Sequence, residues 1–476
     1  MNGTMGSSEQ ESAFFLSSVT LHATMAPKTT SAGLLVLASS IFGYVHLGSA
    51  TSSPKPLISR QSNLSSPYLD NVSDYIDSIY DDLWTVNKGI HDNPELGYEE
   101  FEAHDLLTSF MEEQDGWNVT RSVGGVETAF KAVFDGEGEG PVVSFNAEYD
   151  ALPELGHACG HNLIATASIG GALAAAKVMR DEGLAGKIIL FGTPAEESLG
   201  GKIKMHEAGI FEDANIDISL ISHPMRTGDT PWMITSSTDR FDVEYYGTES
   251  HAAAGPWEGV NAQDALLLAN SAIAYMRQQM RPTDRFHGII HSGGQTINVI
   301  PALASGSYQI RADNEVQLSN LTERVVNAFE AGALGTGAEL NFTMRPYGYA
   351  NMVSNDLLGE HFAAWSEGLG GEMPDLELDK LRDASGSTDQ GNLSHEWPSI
   401  SPTFGIYTEN GTAPATGPHT EAFEAAAGTK LSFEKALLVA KSLAGVAVDV
   451  LTVDGLLDEI KENFEAGRTP QLRRFR

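Results

Sequence analysis

The sequence predicts an α/β fold: a mixed α/β/α sandwich interrupted by an inserted ferredoxin-like unit. Three observations carry this. Between Tyr68 and Ile221, apolar strand-like runs alternate with stretches of helical spacing. From Arg240 to Arg345 the order becomes βαββαβ, within the ~100 residues that a ferredoxin-like unit needs. From Asn355 the α/β pattern returns and ends on the long apolar stretch Leu431–Leu451.

Taken in order, Tyr68–Lys88 and Phe101–Glu113 place apolar residues at helical spacing. Strand-like runs follow at Glu127–Phe134, Pro141–Phe145, Lys187–Phe191 and Ile216–Ile221, with the Ala-rich helical stretch His161–Arg180 between two of them. Ligand sites in such sheets sit on the loops that leave the strand ends. The middle section reads as strand Arg240–Tyr246, helix Asn261–Arg281, strands Phe286–Ser292 and Ser305–Ala312, helix Leu318–Glu330 and strand Ala338–Arg345. These rhythms divide the chain into a leader and linker (1–60), a first part of the larger domain (61–235), the insert (236–347) and a second part (348–476). Arg473, Arg474 and Arg476 read as a frayed tail.

The 64 Asp and Glu against 29 Lys and Arg leave a net charge of -35 on 476 residues. Phosphate contacts need clustered basic residues, so nucleic acid and anionic membrane surfaces are excluded as partners. One cysteine excludes an intramolecular disulfide framework. Near the start, Lys28 precedes the apolar run Ala32–Ala50, and a Ser/Pro-rich stretch follows it to Arg60. That is the pattern of a secretory signal, and it reads best from Met25. The expectation is a secreted chain with no stable membrane partner, whose mature start falls between Ala50 and Gln61. A single-span anchor is the alternative, and no later segment reads as long and apolar enough to span. Sequons at Asn63, Asn71, Asn118, Asn320, Asn341, Asn392 and Asn410 agree with secretion and make a glycoprotein the expectation.

Four polar clusters carry the chemistry. The first runs from Glu148 through Asp150 to His157, Cys159, His161 and Asn162. Thiolate and imidazole are the ligands that a borderline-soft cation such as zinc takes. The second places Glu196 and Glu197 side by side after a strand, where one carboxylate can bind a metal while its neighbour handles a proton. The third is Ser222-His223-Pro224, and the fourth is Gly417-Pro418-His419-Thr420-Glu421. Alone, each is weak: a single histidine is usually just hydrogen-bonded, and Glu-Glu is usually a solvated pair. Their conjunction points to a metal site.

In order along the chain, these motifs resemble the dinuclear metallopeptidases and amidohydrolases that include aminoacylase, hippurate hydrolase and the plant auxin-conjugate hydrolases (peptidase family M 20). The amidohydrolase-like dipeptidase branch is the nearest in look, through Asn146-Ala-Glu-Tyr-Asp-Ala-Leu-Pro and Gly156-His-Ala-Cys-Gly-His-Asn-Leu-Ile. Further matches are His91-Asp-Asn-Pro-Glu-Leu-Gly, Pro194-Ala-Glu-Glu, Gly247-Thr-Glu-Ser-His-Ala-Ala, Asn298-Val-Ile-Pro and Pro418-His-Thr. The resemblance covers residues 68–460 and implies hydrolysis of an amide bond in a small substrate: an N-acyl amino acid, a dipeptide or an amino-acid conjugate. It implies two divalent ions, zinc first with manganese and cobalt as alternatives. Cys159 would bridge them, with His161, Glu197, His223 and His419 completing the sites, and Glu196 would be the general base.

The same resemblance makes the insert both lid and homodimer interface. His251 would reach into the partner's site to steady the oxyanion, and Asn298 and Arg311 would contact a substrate carboxylate. Two departures stand out: Asn162 replaces an Asp found in many relatives, and the loop Ser387–Ser394 differs from that of bacterial hippurate hydrolases. Two other readings compete. One is a thiol hydrolase with Cys159 as nucleophile, which leaves Glu196, Glu197 and His223 without a role. The other is an inactive binder, which needs a missing ligand where none is missing.

Overall fold

The computed structural model describes residues 66–473 apart from Thr227 and Ser385. The leader, its signal-like run and the mature start expected from the sequence lie outside the described residues.

Helices α1 (Leu69–Ser78), α2 (Tyr80–Asp92) and α3 (Phe101–Glu112) lead into strands β1 (Trp117–Arg121), β2 (Phe130–Asp135) and β3 (Val142–Ala147). Next come α4 (His161–Glu182), β4 (Lys187–Gly192), the short helices α5 (Glu196–Leu199), α6 (Gly201–Glu207) and α7 (Ile210–Asp213), and strands β5 (Ile218–Leu220) and β6 (His223–Met225). The middle section is β7 (Ser237–Tyr246), α8 (Ala262–Met276), β8 (Arg285–Ser292), β9 (Leu303–Ala312), α9 (Glu315–Thr336) and β10 (Glu339–Met344). The chain then forms α10 (Asp356–Gly368), α11 (Leu376–Asp379), α12 (Gln390–Ser394), β11 (Ser399–Ile400), β12 (Thr403–Gly405), α13 (Glu421–Ala427), α14 (Lys430–Thr452) and α15 (Leu456–Arg473).

The larger sheet has the order β1-β2-β4-β3-β5-β11. Strands β4, β3, β5 and β11 run parallel, while β1 and β2 pair antiparallel at one edge. Side chains alternate between the faces of a strand, and β4 shows what each face packs against. Ile188 and Leu190 enter the core built with α4 and α14, whereas Ile189 and Phe191 join Met205, Phe211 and Leu393 on the opposite face. Helices thus cover both faces, as the sandwich expectation requires. Helix α4 is long and apolar enough to cross a membrane, contrary to the sequence expectation. Its apolar window is 94% buried inside the protein, which makes it the central core helix instead.

The second sheet is antiparallel, in the order β10-β7-β9-β8, with the βαββαβ connectivity read from the sequence. One face buries Phe241, Val243, Tyr308 and Ile310 under Leu266, Ile273, Val325 and Phe329 of α8 and α9. Asn261 and Asn314 start these two helices by accepting backbone N–H bonds with their side chains.

Three sequence expectations change. The stretch from Tyr68 breaks at Ile79 (φ -107°, ψ 19°) into α1 and α2, although Val72, Ile76, Leu83, Val86 and Ile90 all still reach the core. Helix α8 stops at Met276, and a 3₁₀ turn follows at Arg277–Gln279. The α/β pattern does not end on Leu431–Leu451, because α15 follows it and buries Leu456 and Ile460.

Candidate metal centre

The polar clusters meet where strands of the larger sheet end. Gly160, at φ 78°, turns the chain into α4, so Cys159 lies just before the helix and His161 is its first residue. Ala195 (φ 60°) and Ser198 (φ 78°) flank the two glutamates in left-handed backbone, and His419 is itself at φ 66°. Non-glycine residues in this region carry strain of about 1–3 kcal/mol each, a cost that persists where surrounding structure fixes the side chains. The His419 N–H donates to the Ala158 carbonyl at 2.8 Å, which ties the fourth cluster to the first.

Two ligand groups contain Cys159, and His161, Glu196 and Glu197 lie close enough to form another. Cys159, His161 and His223 offer donor atoms within 4.8 Å of one another, and so do Cys159, Glu197 and His419. The two groups share one sulfur. The Cys159 Sγ lies 3.4 Å from His223 Nε2, and Glu197 Oε1 lies 3.2 Å from His419 Nε2 and 3.9 Å from His161 Nε2. Glu196 Oε2 stands 4.0 Å from His161 Nε2.

The hydrogen bonds set the tautomers. His161 donates Nδ1–H to Asp150 Oδ1 at 2.9 Å, and His223 donates Nδ1–H to the Pro224 carbonyl at 2.8 Å. Both Nε2 atoms therefore face the centre, as they do in imidazole ligands oriented from behind, and at His161 a metal ion would displace the Nε2 proton. His161 Nε2 is buried without a hydrogen-bond partner. A cluster of thiol, imidazole and carboxylate with an orphaned buried nitrogen fits divalent metal ions.

Electrostatics separate the neighbouring glutamates. Burial, then Glu148, Glu197 and Asp389, push the Glu196 pKa well above the ordinary carboxylate range. Burial opposes ionisation of Glu197 too, but His419 and His161 outweigh it and hold its pKa low. Burial likewise opposes charge on His161, yet Asp150 raises its pKa well above the usual histidine value. Burial lowers the His223 pKa.

Six of the predicted site residues, Cys159, His161, Glu196, Glu197, His223 and His419, fall in these groups. The other three sit on the insert. His251 is exposed, and its Nδ1 accepts from the Ala253 and Ala254 N–H groups. The Asn298 carbonyl accepts from Ala252 N–H at 3.0 Å. Arg311 Nη1 donates to Ser387 Oγ at 2.7 Å, which links the second sheet to the loop before α12. His157 lies outside both groups and is fully buried near the His91 ring; burial, then His161 and His91, push its pKa down to about 3.

Sequence reasoning missed Lys202 and Asp389 and gave Glu148 and Asp150 no role. Asp150 orients His161 and accepts the Glu197 N–H at 2.8 Å. Glu148, Lys202 and Asp389 form a buried ion-pair network beside Glu196. Glu148 and Asp150 lie within the first motif, but nothing local in the sequence marks Lys202 or Asp389.

The model of peptidase family M20/M25/M40 matches residues 144–434. The chain is 39% identical over 402 residues to Xaa-Arg dipeptidase of Mus musculus, covering 82% of this chain and 90% of the relative. It is 28% identical over 268 residues to hippurate hydrolase of Campylobacter jejuni, covering 51% of this chain and 67% of that one. Among solved structures, a dinuclear metal-binding peptidase of the M20 family from Bacillus subtilis superposes with a TM-score of 0.59 at 20% identity, over 79% of this chain and 99% of that one.

Proposed function

The chain belongs to peptidase family M20/M25/M40 and is a metal-dependent hydrolase of small amides, and from that premise we propose that its substrates are dipeptides cleaved by a water that Glu196 deprotonates. The carrying observation is the pair of ligand groups that share Cys159, with Glu196 beside them. His161 and His223 would hold one ion and Glu197 and His419 the other, with the Cys159 thiolate common to both. Such ions, zinc by the soft donor set, supply a Lewis acid and a water of lowered pKa.

The chain's own residues do the rest. Glu196, which the ions held by these ligand groups would keep ionised against its raised pKa, takes the proton of the attacking water on its carboxylate and returns it to the departing amine. Its closeness to Glu197, which is held by His419, leaves the two carboxylates to different tasks. Arg311 and Asn298 orient the substrate carboxylate. His251 accepts backbone N–H bonds at Nδ1, which leaves Nε2–H as a donor for the oxyanion of a second protomer's site.

A homodimer through the insert supports that role. Strand β8 is an edge of its sheet and exposes Ile289 and Ile290, an apolar edge that a second copy would cover. Light scattering that finds a fully active monomer would contradict both the dimer and the trans role. Secretion follows from the run Ala32–Ala50, and N-terminal sequencing of protein from culture medium tests it.

The deciding assay is a panel of dipeptides and N-acyl amino acids, led by dipeptides ending in arginine, the class in the mouse relative's name. A strongly acidic protein attracts such cationic substrates at low salt. Hydrolysis of N-acyl amino acids with no dipeptide cleavage overturns the dipeptide reading. The 3.4 Å contact between Cys159 and His223 also suits a thiol hydrolase. Inhibition by iodoacetamide with indifference to EDTA would favour that reading.

A further inference from the structure

A further cluster lies beside the metal centre. Glu148, Glu196 and Asp389 each offer an oxygen within 4.8 Å of the others, a spacing that suits a metal ion. All three are buried, and they come from distant parts of the chain: the residue after β3, the first residue of α5 and the residue before α12. Carboxylate oxygens in such a set can ligate a divalent ion, zinc included.

The cluster already contains a cation. The fully buried Lys202 places its Nζ 2.5 Å from Glu148 Oε1 and 2.6 Å from Asp389 Oδ1. Its backbone N–H donates to Asp389 Oδ2 at 2.9 Å, so Asp389 grips both ends of the residue. The hydrogen bonds of the ammonium go to Glu148 and Asp389, and none goes to Glu196. The close packing behind it is fixed by Gly201, where a Cβ would fall 1.7 Å from the Pro194 carbonyl oxygen.

We propose that Lys202 is a positioning residue, the resident cation of this three-carboxylate cage, which holds Glu148 and Asp389 in place and keeps a divalent ion from capturing Glu196. A metal in the cage would take the Glu196 carboxylate as a ligand, and a ligating carboxylate cannot serve as base. The ammonium offsets part of the charge of Glu148 and Asp389 while leaving Glu196 free. This inference rests on the reading of Glu196 as base and of Cys159 as the shared ligand.

Metal content tests it. Wild type, Lys202→Met and Lys202→Met/Asp389→Asn are equilibrated with zinc, separated from free ions by gel filtration and analysed by mass spectrometry. Two ions per protomer are expected for wild type and three for Lys202→Met, with kcat reduced and KM little changed. In the double variant the two remaining carboxylates hold the extra ion weakly, so excess zinc inhibits turnover at a concentration roughly 10-fold below that for wild type. A folded Lys202→Met that binds as many ions as wild type overturns the proposal. If that variant does not fold, equal zinc sensitivity of the double variant and wild type overturns it instead. A wild type that binds no metal refutes the reading of the Cys159 centre, a result distinct from either.

Discussion

Replacing Asp150 with Asn keeps the volume of the side chain and removes one of its two acceptors. Asp150 is buried, and both oxygens are committed: Oδ1 to His161 Nδ1–H at 2.9 Å and Oδ2 to Glu197 N–H at 2.8 Å. An amide cannot serve both. If its oxygen faces His161, its NH₂ confronts the Glu197 N–H and leaves a buried donor unpaired, at about 1–3 kcal/mol. If it flips, the NH₂ faces His161 Nδ1 and drives the imidazole proton to Nε2, the atom that must stay bare to bind a metal. Loss of such an orienting partner lowers metal affinity by ~10–100-fold, or about 1.4–2.7 kcal/mol. The assay is activity of metal-stripped protein titrated with buffered zinc, alongside metal analysis. The half-activating zinc concentration should rise by that factor, with turnover returning at saturation, since Asp150 moves no proton in the reaction. An unchanged zinc requirement, or lost turnover at full metal occupancy, refutes the orienting role.

The two neighbouring glutamates should fail differently: Glu197→Gln should lose metal, whereas Glu196→Gln should keep it and lose ~10²–10⁴ in kcat. Glu100 is buried, accepts from Thr128 Oγ1 and Ala195 N–H, and burial followed by Asp150 raises its pKa to about 7. Because that lies above the ordinary 4.5, the folded state holds the proton more tightly, so this group's contribution to stability is full below pH 4.5 and lost as pH rises through about 7. Glu100→Gln should therefore gain stability relative to wild type between pH 5 and pH 8, by at most about 3 kcal/mol, and parallel denaturation curves at the two pH values would refute this. Asn392 should carry no glycan, because its side chain accepts from Ala350 N–H and donates to the Gly348 carbonyl, and full occupancy in glycopeptide spectra would contradict the fold of this loop.

Period-based reading succeeded where burial follows period. The alternation of Ile188, Ile189, Leu190 and Phe191 is apolar on both faces because both faces are covered. The βαββαβ order was legible because its elements are long and separated by polar turns. Short strands were not: β6, β11 and β12 hold two or three residues each, too few to show a period. The motif His91-Asp-Asn-Pro-Glu-Leu-Gly also reads differently in three dimensions. Glu95 accepts the N–H groups of Glu102 and Ala103 at the start of α3, and a Cβ on Gly97 would fall 3.0 Å from Ala195. The motif props up the glutamate loop from behind.

The metal groups were legible because their ligands fall in short motifs of unusual composition: Cys159 and His161, Glu196 and Glu197, His223 and His419. The residues that orient and balance them were not, since an ion pair leaves no local signature. Asp389 lies 187 residues from its partner Lys202, in the loop that the sequence marks only as a departure from hippurate hydrolases. In the fold that departure supplies the far half of a buried ion pair. A chain without the lysine would bury the Asp389 and Glu148 charges uncompensated, at about 3–5 kcal/mol, whereas one without the aspartate keeps the ammonium paired with Glu148. The loop and the lysine are therefore one structural device, and replacing the lysine alone should cost more stability than replacing both. A double-mutant cycle on Lys202→Met and Asp389→Asn measures that coupling, and simple additivity of the two losses would show that the pair does not act as a unit.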